Sequence, residues 1–230
     1  MIAVRTKPLI GRPNVRIPEV NTMDAPKSLA DESERAARAP QLSQPHMAAL
    51  SDFVERMRKA KGPDYVIPHF DPLDGGSNAQ VLFLMEAPGP KASASGFVSR
   101  NNPDETAKNV FLLNQEAGIE RRRTVIWNAV PWYIGSGGKI RPAKREDVHE
   151  ADVWLKELLE TLQRLRIVVF VGQKARYAQR VVQVARPDVL PMTMPHPSPM
   201  FVNRAPGNRT RVLADLQAVA TRLAVLDNQI

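Results

Sequence analysis

Four apolar runs of strand length, separated by stretches with helical periodicity, predict an α/β fold: a three-layer α/β/α sandwich around a central four-stranded parallel sheet. The runs are VLFLM (81–85), TVIW (124–127), IVVFV (167–171) and VLPMTM (189–194). They are apolar throughout rather than alternating, as expected of strands covered on both faces. Pro191 cannot donate a backbone hydrogen bond, so the run that contains it belongs at a sheet edge.

Taken in order, residues 1–45 mix prolines, charges and small residues without apolar periodicity. They read as an extended or partly disordered basic, proline-rich arm, with a short helix over Leu29–Arg38. Residues 46–230 read as the folded domain. Leu50, Phe53, Val54 and Met57 recur at helical spacing between Met47 and Ala60. A turn-rich approach, PHFDPLDGG, then leads into the first strand. Asn109–Gln115 reads as a helix before the second strand. Val148, Ala151, Leu155, Leu158, Leu162 and Leu165 mark a long amphipathic helix over Arg145–Leu165. Helices over Ala175–Val184 and Thr210–Leu226 follow the third and fourth strands. The GSGG at 135–138 has no Walker-type lysine and reads as a plain loop.

Composition narrows the function. The 230 residues include no cysteine, which excludes disulfides, cysteine nucleophiles and cysteine-ligated iron–sulfur clusters. The four histidines (46, 69, 149 and 196) have no metal-ligand spacing, so neither a metal nor a cofactor is expected. No apolar run approaches the roughly 20 residues of a membrane span, and the first residues lack a signal-peptide pattern. These features predict a cytoplasmic protein without a membrane partner, a monomer by default. The net charge of +8 and a pI near 10.0 suit a polyanionic partner such as nucleic acid.

In an open parallel sheet, ligands collect beyond the carboxyl ends of the strands. Four polar clusters occupy those positions. They are Glu86-Ala87-Pro88-Gly89-Pro90, Asn128-Ala129-Val130-Pro131-Trp132-Tyr133, Gly172-Gln173-Lys174 and Pro195-His196-Pro197-Ser198-Pro199. Proline or glycine stiffens each, which suits a site whose donors are fixed before the ligand arrives. Ser198 has no G-x-S-x-G context and no evident base, so a serine hydrolase is not indicated.

MEAPGP after the first strand, an Asn ending the second and HPSP after the fourth resemble the uracil-DNA glycosylase superfamily, over about residues 68–226. SGFV and AKNVFLLNQEAGI are similar to the segment after EAPG in the branches that carry an iron–sulfur cluster. With no cysteines, this chain resembles a cluster-free branch. The resemblance implies a monofunctional glycosylase that hydrolyses the bond between uracil and deoxyribose in DNA, without metal or cofactor. Glu86 and His196 would be catalytic, and Ala87, Phe97 and Asn128 would contact the base, with Phe97 stacked on it. Ser198, Met200, Phe201, Arg204 and Arg209 would meet DNA, either Met200 or Phe201 acting as the wedge in the base stack. Ala87 stands where many relatives hold a water-activating Asp or Asn. Glu86 is then the leading residue to orient water, with Asp104 and Glu105 as alternatives. The rival reading is a non-catalytic protein that binds nucleic acid or abasic sites on the same scaffold.

Overall fold

The computed structural model describes residues 24–136 and 138–229. In chain order it contains helices α1 (Glu32–Arg38) and α2 (Pro45–Lys61), strands β1 (His69–Phe70) and β2 (Val81–Met85), α3 (Pro90–Ser95) and β3 (Phe97–Val98). Next come α4 (Glu105–Glu116), β4 (Thr124–Asn128), the short strands β5 (Gly135–Ser136) and β6 (Lys139–Ile140), and α5 (Arg145–Thr161). The chain ends with β7 (Ile167–Val171), α6 (Gly172–Ala175), α7 (Gln179–Ala185), β8 (Leu190–Met194), α8 (Pro199–Val202) and α9 (Pro206–Asp227).

The central sheet is four-stranded and entirely parallel, in the order β4-β2-β7-β8. Its four strands are the four apolar runs. β8 lies at the edge, where the missing donor of Pro191 is harmless. Alternate side chains serve the two faces. Trp127 of β4 turns toward Phe53 of α2, which meets it edge-on and in turn meets Trp154 of α5 edge-on. Phe83, Ile126 and Val171 turn the other way, toward Val110 and Leu113 of α4 and Val212 and Leu216 of α9. Three layers result, as the sequence predicts.

The structure revises the arm. Residues 1–23, with Arg5, Lys7, Arg12 and Arg16, lie outside the described residues. Residues 24–45, by contrast, are neither extended nor loose. Two short 3₁₀ turns flank α1, whose first turn is capped by the Asp31 carboxylate accepting from Ser33 N at 2.9 Å. Leu29 and Arg38 are buried. Arg38 donates to Asp71 Oδ1 at 3.1 Å and Asn101 Oδ1 at 3.0 Å, while Arg121 donates to Asp71 Oδ2 and Asp74 Oδ1, both at 2.8 Å. Burial pushes the Asp71 carboxyl up, but Arg121 and Arg38 outweigh it, and its pKa falls below the usual range. Asp74 has no such margin, and burial raises it. The composition of this segment concealed two residues whose partners are 33 or more positions away in sequence.

The GSGG segment is also more ordered than a plain loop. Gly135–Ser136 and Lys139–Ile140 pair as a small antiparallel hairpin, with Gly138 in the left-handed region at φ 77°. Among the described residues, no helix is long and apolar enough to cross a membrane.

Candidate active site

Parallel strands deliver their carboxyl ends to one rim, and three of the four polar clusters meet there around a cavity of about 460 Å³. Glu86 and Ala87 from the end of β2, Asn128 from β4 and His196 from beyond β8 all line it. The ladder continues past the strands: Ala129 N donates to Met85 O at 2.8 Å and Val130 N to Glu86 O at 2.9 Å. These bonds fix the backbone beneath both Glu86 and Asn128.

Asn128 is 4% exposed, and its Nδ2 is buried with no hydrogen-bond partner among the described residues. An unpaired amide donor in a cavity wall costs roughly 1–3 kcal/mol unless a ligand meets it. Packing alone therefore gives no reason for an amide here. Glu86 is half-buried and anchored at one oxygen, Oε1, which accepts from Ala143 N at 2.6 Å. Its second oxygen has no bonded partner among the described residues, leaving an acceptor available to a water.

His196 is held from two sides. Gly172, the first residue after β7, sits at φ 84°, and a Cβ built there would stand 3.2 Å from the His196 Cβ. Asn109 Nδ2 of α4 donates to Pro197 O at 2.9 Å, tying the HPSP turn to the facing helix. Burial lowers the imidazole pKa below its usual value, so the ring is neutral at pH 7 and carries one N–H to donate.

Asp104 also lines the cavity, but its Oδ1 caps α4 by accepting from Ala107 N at 2.9 Å. Burial raises its carboxyl pKa, the backbone amides offsetting only part of that rise. Glu105 does not reach the cavity; it is exposed and paired with Lys27. The structure does not bring Phe97 to the cavity either. Its ring is buried in β3, 6.4 Å centroid to centroid from His69, and Val98 faces the site instead.

Of the two candidate wedges, Met200 is 82% exposed, whereas Phe201 packs partly against the core. Ser198 caps α8 through its Oγ, which accepts from Phe201 N at 3.2 Å. Arg204 is exposed. Arg209 is exposed as well, but its guanidinium is engaged by Glu116.

Sequence reading missed the far wall. Ile140, Arg141 and Pro142 close the cavity beside Glu86, and Arg141 is held by a two-pronged ion pair to Asp147, with both contacts at 2.7 Å. It placed Gly172 in a rim cluster but gave it no role against His196, and it missed Asn109. The glycine followed a strand, which is a usable signal, but nothing local marked Asn109. Among the described residues, no group of three or more histidine or acidic side chains could hold a metal ion.

A family model, the uracil DNA glycosylase superfamily, matches residues 72–217. No curated protein matches the sequence. Among solved structures, the chain is similar to the solution NMR structure of a candidate uracil DNA glycosylase from Methanosarcina acetivorans. The identity is 16% and the TM-score 0.44, over 63% of this chain and 92% of the other.

Proposed function

This chain belongs to the uracil DNA glycosylase superfamily, and from that premise we propose that it is a monofunctional glycosylase that hydrolyses the N-glycosidic bond of uracil in DNA, leaving an abasic site. The observation that carries the proposal is the unpartnered Asn128 amide in the cavity wall. Uracil presents an acceptor at O4 beside a donor at N3–H. The Asn128 Nδ2 meets the first and its Oδ1 the second, whereas cytosine offers the reverse pattern and would leave both unpaired.

Such an enzyme must extrude the nucleotide from the duplex to reach the bond. Met200, exposed on α8, is suited to fill the vacated space in the base stack. As the bond breaks, the sugar becomes cationic and the base anionic. The neutral His196 N–H stabilises charge at uracil O2 without first losing its own proton elsewhere. Glu86, fixed at one oxygen by Ala143, orients water with the other and balances the sugar cation. Asp104 is the second carboxylate in the cavity, but it is tied to α4. Arg204 meets the DNA backbone.

One observation favours the rival reading of a non-catalytic binder: Ala87 contributes no water-activating group to the cavity. The test is incubation, in chelator, with labelled oligonucleotides carrying one uracil, followed by alkali. Cutting at uracil that requires the alkali step supports a monofunctional, metal-independent glycosylase. DNA binding without cutting by folded protein supports the binder instead.

A further inference from the structure

Between β3 and α4 the chain forms neither strand nor helix, yet it builds one wall of the cavity, which Val98, Ser99, Arg100 and Asn102 line. An irregular segment has no ladder of backbone bonds to keep it in one shape, so support must come from elsewhere. Residues 24–38 supply it from behind. Leu29 N donates to Asn101 O at 3.1 Å. The Asn101 amide donates to Ala25 O at 2.7 Å, and its Oδ1 accepts from Arg38 at 3.0 Å and from Arg121 at 2.7 Å. Arg121 is also paired with Asp24, and Lys27 with Glu105, the first residue of α4. Asp71 completes the link, accepting from Arg38 through Oδ1 and from the Ser99 hydroxyl through Oδ2.

Stability alone does not account for this construction. Drying a buried ion pair costs about as much as the pair returns, and apolar side chains of similar volume often serve as well or better. Arg38, Asp71 and Asn101 are nonetheless all buried. In the same cluster, Asp74 Oδ2 and Arg100 Nε have no hydrogen-bond partner among the described residues. What such a network supplies is direction, because hydrogen bonds weaken steeply away from one geometry and apolar contacts do not. Lys27 adds a second sign. Among the described residues it alone, glycines aside, has a left-handed backbone, at φ 64°, a conformation that persists only where its surroundings enforce it.

We propose that residues 24–38 are a strap that holds the Ser99–Asn102 wall in shape, with Arg38 and Asn101 as positioning residues for the base that enters the cavity. The effect on base release rests on the glycosylase reading, whereas the hold on the wall does not. A loosened strap lets the wall take several shapes, so a base is less often seated against Asn128 and His196. The maximal rate of release then falls, while binding of DNA to the outer surface is unaffected.

The experiment uses the full chain as wild type, as D24N/K27N and as R38M. The first variant removes one charge of each sign and so leaves the net charge unaltered; asparagine also tolerates the left-handed backbone at position 27. The second removes the cation shared by Asp71 and Asn101 but keeps a long, unbranched side chain. Hydrogen exchange read by mass spectrometry compares residues 98–107 with the central strand β7. Single-turnover release of uracil over a range of DNA concentrations separates the maximal rate from the half-saturating concentration. For D24N/K27N we expect exchange about tenfold faster at residues 98–107 but unchanged in β7, a maximal rate about tenfold lower, and half-saturation within about twofold of wild type. R38M should show the same pattern more strongly, and if it does not fold, D24N/K27N decides alone. Wild-type exchange at residues 98–107, or exchange that rises equally in β7, overturns the strap. Faster exchange at the wall with a wild-type maximal rate overturns the positioning role. If the wild type releases no uracil, the glycosylase reading fails by itself, and exchange at residues 98–107 still decides whether the strap holds the wall.

Discussion

The residue on which the proposed base-binding wall rests gains no hydrogen bond for its amide nitrogen from the described residues. Asn128 closes β4 in a fully buried position, yet its amide nitrogen is left without a partner. Gly172 is its counterpart in backbone terms. Its φ of 84° is a conformation that side chains rarely adopt, and a Cβ there would press on His196. Gly172→Ala is expected to destabilise the fold by about 1–3 kcal/mol and, in protein that remains folded, to slow base release by displacing the imidazole. Thermal melting together with single-turnover release checks both; wild-type release would show that the glycine does not position His196. The motif residues Glu86, Asn128 and His196 were legible in sequence because each lies within two residues of the end of an apolar run, and strand ends are where chemistry gathers. Phe97 was assigned from resemblance alone, and the strand pairing of β1 with β3 buries it away from the cavity.

At the scale of elements, the sequence identified all four sheet strands and placed Pro191 at an edge, because burial on both faces demands uninterrupted apolar runs. It did not show that residues 24–45 are docked, since Arg38 and Leu29 look like ordinary solvated positions until Asp71, Asn101 and Arg121 are brought to them. β1 was equally hidden, being only two residues long, yet it carries a titrating group. Burial, then the neighbouring Arg58, lowers the His69 pKa from 6.5 to about 4, with Glu55 opposing. Arg58 donates to His69 Nε2 at 2.8 Å, consistent with a neutral ring. Between pH 6.5 and about 4 the unfolded chain therefore binds a proton that the folded chain refuses. Stability from this group is constant above pH 6.5 and is lost as pH falls toward 4, by about 3 kcal/mol. His69→Gln should flatten urea-unfolding free energies over that window; an unchanged pH slope would mean that His69 titrates normally.

Across the whole molecule, the parallel sheet gathers its catalytic candidates on one rim. That rim also carries exposed Met200 on α8. A net charge of +8 was visible from composition, but only the fold separates cations tied to carboxylates from those left for a polyanion. If Met200 acts as a wedge, Met200→Ala should lower base release from a duplex about tenfold while leaving single-stranded release near wild type, because a single strand has little stacking to replace. Equal losses on both substrates would place Met200 in the cavity's support instead. Base release at the cavity of Glu86, Asn128 and His196 is the central expectation. The most direct measurement is single-turnover release of uracil by the wild type, His196→Ala and Asn128→Ala, with melting curves run alongside. We expect alkali-labile sites from the wild type, release about 10²–10³-fold slower from His196→Ala, a comparable loss from Asn128→Ala, and little change in the melting temperature of Asn128→Ala. Wild-type rates from both folded variants would contradict it.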